Sequence, residues 1–322
     1  MTASARISRT ALIALCSVLV GAPLYAAERR SLKTDRFPAA EGKRIVVDVG
    51  DVDVHIRAAD VVEIEVTTHL HISGVGAAKA ESWIDAHAPS FTDAADELRI
   101  VVRPQETVGL LSIGRLTSRA RLAILVPKDV SPDVTTAGGW IEIRGDFPFA
   151  QPFRMRTSTG DIEFTGAAGS LEIRSSSGAS SLDLFRSTSH LFARTASGSV
   201  TLEGGAREVS VDTASGDVSL ENLSGAAQVQ TSTGRVSLGW DRIDSDHHVT
   251  VRSSSGRVQL LLPGGVHPHG RLTTTTGSIE SDLPGTFSPQ GNSYELTGEG
   301  PVIDVETASA PITVVSADDW GD

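Results

Sequence analysis

The sequence predicts an all-β protein: a β-solenoid, single-stranded and β-helix- or β-roll-like, with coils of 18–22 residues and one short N-terminal helix. Three observations carry the prediction. An octet recurs as TSTGDIEF at 157–164, TASGSVTL at 195–202, TASGDVSL at 213–220 and TSTGRVSL at 231–238, with variants at 136–143, 253–260, 274–281 and 307–314. Its glycines, Gly139, Gly160, Gly178, Gly198, Gly216, Gly234, Gly256 and Gly277, are spaced by 21, 18, 20, 18, 18, 22 and 21 residues. Apolar residues alternate with period two on both sides of each glycine, as in Val209, Val211, Thr213 and then Val218, Leu220. That alternation is the mark of strands with one buried face. An antiparallel meander would also alternate; one coil per repeat stacks like positions on like positions, which favours the solenoid.

From the N-terminus, residues 1–26 read as a secretory signal peptide. Arg6 and Arg9 precede the uncharged apolar run 11–24, and Ala26 offers a small residue for cleavage. The run is too short for a comfortable membrane span, and no later segment matches it. Export to the periplasm, cell surface or medium is therefore expected. Cys16, the single cysteine, lies inside the apolar run after Leu15, a poor context for lipidation. Cleavage after Ala26 removes it, and with it disulfides and thiol chemistry. Losing Arg6 and Arg9 also takes the formal charge from −12 to −14. An acidic surface argues against a nucleic-acid partner.

Residues 27–130 read as a strand-rich cap region with strands near 46–56, 61–72, 97–104 and 119–127. One helix is expected at 76–88, with Ala80, Trp83 and Ile84 on one face, covering an end or edge of the sheets. Residues 131–322 form the repeat solenoid, continuous with the cap. Ser-Gly and Thr-Gly pairs mark tight corners, and the glycines at 160, 178, 198, 216, 234, 256 and 277 are read as corners with φ > 0. Thr157, Thr195, Thr213 and Thr231, with Ser175, Ser253, Thr274 and Thr307, are read as an inward hydroxyl column that bonds the corner backbone.

These residues resemble the bacterial putative-adhesin family of β-strand-repeat proteins, a domain of unknown function. The likeness lies in the early VDVGDVDVHI segment, in the strand ending Val126-Pro127-Lys128, and in the T-[AS]-[ST]-G-x-[VI]-x-[LF] run. It covers nearly the whole chain after residue 26. The resemblance implies an extended envelope or surface solenoid and transfers no catalytic motif. The sequence departs from the pattern at Ala310, which replaces the corner glycine, and at Ser180, which stands where an apolar residue is expected.

No phosphate loop, dinucleotide fingerprint, H-E-x-x-H or EF-hand sequence is present, and no cofactor is implied. Two clusters remain as candidate sites. Four residues before successive glycines stand Arg156, Arg174 and Arg194. Stacked like charges are either compensated by Glu163 and Glu172 or form an anion stripe for carboxylate or phosphate groups. Longer corners at 239–248, 262–270 and 283–295 bring Trp240, His247, His248, His267, His269, Phe287 and Tyr294 toward one edge. They form a partner-binding edge for a glycan or protein if exposed, and local packing if buried. Histidine pairs such as His69 and His71 lack the three or four converging ligands of a zinc site. The expected function is a non-catalytic envelope binding or scaffold module. An envelope-stress sensor and a polysaccharide-acting enzyme are the alternatives.

Overall fold

The computed structural model describes residues 27–103 and 117–317. The predicted signal peptide lies outside the described residues. Two parallel sheets face each other, and each coil crosses from the first to the second at the repeat corner. In the first sheet the spatial order is Glu97–Val102, Arg44–Val49, Ser131–Thr136, the latter halves of Ile141–Thr157 and Ile162–Ser175, Thr188–Thr195, Ala206–Thr213, Ala226–Thr231, His248–Ser253, Val302–Thr307 and His269–Thr274. The second sheet runs in step, from Thr117–Val126 through Asp53–Ala58 to Ile312–Ser316 and Ile279–Ser281. The inward residues form one continuous core, which includes an edge-to-face chain of Phe147, Phe153 and Phe164 with ring centroids 4.7 and 6.2 Å apart.

The stack is not in chain order at either end. Arg44–Val49 lies between Glu97–Val102 and Ser131–Thr136. Val302–Thr307 lies between His248–Ser253 and His269–Thr274. The reading of successive coils as neighbours is corrected at these two places. Every coil carries the same pattern, so the pattern defines a coil without defining which coil it meets.

Both ends are finished by antiparallel strands. Ala27–Pro38 pairs with Glu63–Val75, which pairs with Thr117–Val126. The helix, observed at Ala77–Ala86, packs Ala80 and Trp83 against these outer strands. At the far end Ser293–Thr297 pairs antiparallel with His269–Thr274 and with Gly285–Phe287.

The corner glycines are needed for a reason other than the expected one. None of the seven predicted corners has a positive φ. A Cβ built on any of them would stand 1.7–2.1 Å from the carbonyl oxygen of the neighbouring coil's corner. The glycine column is a line of backbone-on-backbone contact, and it is this close approach that excludes a side chain.

The hydroxyl column is buried as expected. Thr157, Thr195, Thr213 and Thr231 Oγ1 each accept the N–H of the glycine three residues on, at 2.9–3.1 Å. Ser175 and Ser253 Oγ donate to the carbonyl of the glycine three residues on, both at 3.0 Å, and at the corner with alanine Thr307 Oγ1 donates likewise to the Ala310 carbonyl at 2.8 Å. Ser180 stacks between Ile162 and Val200, is buried, and its hydroxyl has no hydrogen-bond partner among the described residues. Ser180→Val should therefore raise stability by about 1–2 kcal/mol, since it buries more apolar surface and removes an unsatisfied group. Urea melts check this, and a loss of stability would show that the column has no room for the extra methyls.

Candidate functional site

A groove runs beside the repeat corners on the outer side of the first sheet. Its origin is local: the residue after each inward Thr or Ser is small, as at Ser158, Ser176, Ala196, Ala214, Ser232 and Ser254. The longer outward column one step before the inward residue forms its other wall. One stretch, of about 540 Å³, is lined by Arg156, Arg174, Arg194 and Asp212 together with Thr135, Ser158, Ser176 and Ala196. A second stretch of about 410 Å³ continues past Asp212 to Gln230, Arg252 and Glu306.

Arg156, Arg174 and Arg194 lie in register on adjacent coils, followed by Asp212. Each has a carboxylate. Arg156 meets Asp133 at 3.0 Å and Glu172 at 3.5 Å, Arg174 meets Glu172 at 3.0 Å, and Arg194 meets Asp212 at 3.4 Å. Glu172 is the hub, since Arg154 also bonds it at 3.0 Å. Burial pushes the Glu172 carboxyl up, but the Arg154 hydrogen bond and the charges of Arg156 and Arg174 outweigh it and hold it below the usual carboxylate value. The four arginines still exceed Asp133, Glu172 and Asp212 by one charge. Arg174 also lies 5.8 Å from the Phe192 ring centroid. Glu163, expected to share the compensation, instead bonds Arg144 at 3.1 Å.

The aromatic edge is corrected. Trp240 and Tyr294 are only 5% and 7% exposed. Trp240 ends an inward-facing strand, and its Nε1–H donates to the Gly225 carbonyl at 2.8 Å. The Tyr294 hydroxyl donates to the Leu283 carbonyl at 2.7 Å, and the half-exposed Phe287 ring leans on it at 4.6 Å. The 283–295 segment is not a corner loop beside the other two, because it folds as a hairpin on the last strand of the first sheet. His248, His267 and His269 are exposed. His269 Nδ1 bonds the Gly300 carbonyl at 2.8 Å, and His247 Nδ1 accepts the Asp244 N–H at 3.0 Å. Among the described residues Asp244, Asp246 and His247 alone bring three side chains of metal-ligating type together, on a corner where both aspartates are exposed. His69 is pulled below its ordinary pKa by burial, then by Arg121 and His55.

Two features escaped the sequence reading. Asp217 Oδ1 accepts the Arg235 backbone N–H at 2.8 Å, as Asp161 Oδ1 does for the Ala179 N–H at 2.9 Å. Asp183, Glu203 and Glu221 stack in register on the outer side of the second sheet, exposed and outside any ion pair among the described residues. Their spacing could have been found by counting five residues past the corner glycines Gly178, Gly198 and Gly216. A glycosidase needs one carboxyl enclosed and held protonated, and nothing encloses these three.

Among the described residues, no helix is long and apolar enough to cross a membrane. No curated protein matches the chain. Solved structures align along most of its length but at low similarity. A putative adhesin from Parabacteroides merdae is 12% identical, with 89% of this chain and 96% of that one covered and a TM-score of 0.43. A putative lipid binding protein from Parabacteroides distasonis is 12% identical over the same shares, with a TM-score of 0.42. A putative adhesin from Bacteroides fragilis is 12% identical, with 89% and 97% covered and a TM-score of 0.38. The profile of the Toastrack DUF4097 family matches residues 42–315, nearly the whole described length, and the chain belongs to that family.

Proposed function

We propose that this protein is an exported, non-catalytic binding module of the cell envelope, and that its groove holds an anionic polymer. The observation that carries this reading is the in-register ladder of Arg156, Arg174 and Arg194 along a groove of small and hydroxyl-bearing residues. Strand spacing repeats the cation about every 4.8 Å, short enough for a flexible acidic chain to meet several in succession. Guanidinium groups suit carboxylates and phosphates because their paired N–H donors match two oxygens. The carboxylates already present act as placeholders that orient the arginines, and a polymer would displace or bridge them.

The test uses a soluble acidic polysaccharide and a salt series. Binding should weaken as salt rises. Arg156→Gln/Arg174→Gln/Arg194→Gln should abolish it with the fold intact. Glu172→Gln should strengthen it, because three arginines lose their shared counter-charge, and it should lower stability by about 1 kcal/mol. Unchanged affinity in both variants would return the ladder to a purely structural role.

A further inference from the structure

The coil formed by Val302–Thr307 and Ile312–Ser316 sits in a slot made by other parts of the chain. On one side lie His248–Ser253 and Val258–Leu262, and on the other His269–Thr274 and Ile279–Ser281. Backbone pairing and inward apolar packing of one repeated type hold it, together with side-chain contacts to both walls, among them Arg252 to Glu306 at 3.7 Å, the Arg271 N–H to Asp304 Oδ1 at 3.2 Å and the Ser316 N–H to Asp282 Oδ2 at 2.8 Å. We propose that residues 302–316 are an exchangeable coil, and that two copies of this chain form a dimer by inserting this coil into each other's slot.

Three observations support exchange at this coil. The slot can close without it, which keeps the released state from exposing two bare sheet edges. Its two walls carry the same pattern, Ser253 with Gly256 and Thr274 with Gly277, each bonding serine or threonine Oγ to the glycine N–H at 2.9 Å. Those walls can pair with each other as other neighbouring coils do. The corner of this coil differs in one residue, because Ala310 stands where the other repeat corners have glycine. Finally, the coil is joined to the preceding hairpin by Gly298-Glu299-Gly300-Pro301, a short tie with two glycines. It lies against the 263–268 connection, with Gly298 N–H donating to the Pro268 carbonyl at 2.9 Å and Gly300 N–H to the His267 carbonyl at 2.7 Å. A change of path in this tie sends the coil outward. Because the second copy's slot is chemically identical, the same strand pairings and core packing form again in the dimer, and concentration and the tie decide the balance.

Thr250 and Asp304 are direct partners across the slot wall, both on the outer side. Neighbouring strands stand about 4.8 Å apart, within disulfide reach. On a Cys16→Ser background, Thr250→Cys and Asp304→Cys chains are mixed, refolded together at high concentration and oxidised. The expected result is an interchain disulfide joining the two variants, many-fold above that from Asp304→Cys mixed with Ser219→Cys. A double variant carrying both cysteines should close within one chain when folded dilute. Three results would overturn the proposal: no excess of the specific interchain product, an equal yield from the Ser219 control, or failure of the double variant to close.

Discussion

Replacing Gly216 with asparagine should unfold the middle of the solenoid, with a loss of more than about 4 kcal/mol, the range of severe core errors. A corner held at positive φ would accept asparagine, the non-glycine residue best suited to that region. Gly216 is not at positive φ, and a Cβ on it would stand 1.9 Å from the Gly198 oxygen and 3.0 Å from Thr213 Oγ1. The obstacle is backbone, paired on both sides, and it cannot move without shifting two coils. Gly265 is the control. It has a φ of +74° and nothing within 4 Å of where its Cβ would stand, so Gly265→Asn should cost about 1 kcal/mol or less. Thr213→Ser should be mild, because serine fills the same column at Ser175 and Ser253, and Ser253 Oγ accepts the Gly256 N–H in the same way. Thr213→Val keeps the volume but strands the buried Gly216 N–H, for about 1–3 kcal/mol. Urea melts of the four variants rank them, and equal losses at Gly216 and Gly265 would refute the close-approach account.

The contrast between these two glycines also marks what was legible in the sequence. Glycine spacing and period-two alternation specify the strands, the inward Thr column and the parallel stack, because each is imposed by backbone geometry at every repeat. Coil order was not legible. The octets at 253–260, 274–281 and 307–314 are chemically interchangeable, so nothing local says that 307–314 lies between the other two. Alternation did carry the fate of Trp240: it is in phase with the inward residues Val236 and Leu238, and that phase outweighs its place at a long corner. The arginine ladder was visible as a spacing, but the hub at Glu172 was not. Glu172 lies two positions before Arg174 on one strand and meets Arg154 and Arg156 only through the neighbouring coil. Asp133, the other partner of Arg156, reaches it from the coil on the opposite side.

The second large effect is expected at the N-terminal end, where the stack must be stopped. Lys43 is 2% exposed, and its ammonium donates to Asp93 Oδ1 at 2.6 Å and to the Pro38 carbonyl at 3.0 Å. Asp93 belongs to Ser90–Asp93, the short antiparallel strand on the outer edge of Glu97–Val102. The pair therefore ties the capping strand to the start of Arg44–Val49, two strands further in. Asp93→Ala leaves a buried cation with one neutral acceptor, and removing one partner of such a pair costs about 3–5 kcal/mol. Asp93 keeps about a third of its side chain in water, so the lower end of that range is expected. Lys43→Met removes the charge and keeps the length, leaving a carboxylate that water can reach, for about 1 kcal/mol. Lys43→Met/Asp93→Ala should then be more stable than Asp93→Ala alone, because the stranded charge is gone. Solenoid coils couple mainly to their neighbours, so the loss should first appear as opening of the end. Amide exchange should speed up in 44–49 and 97–102 while 209–231 stays protected. Equal losses in the two single variants, with no recovery in the double, would mean that the ion pair does not hold the cap.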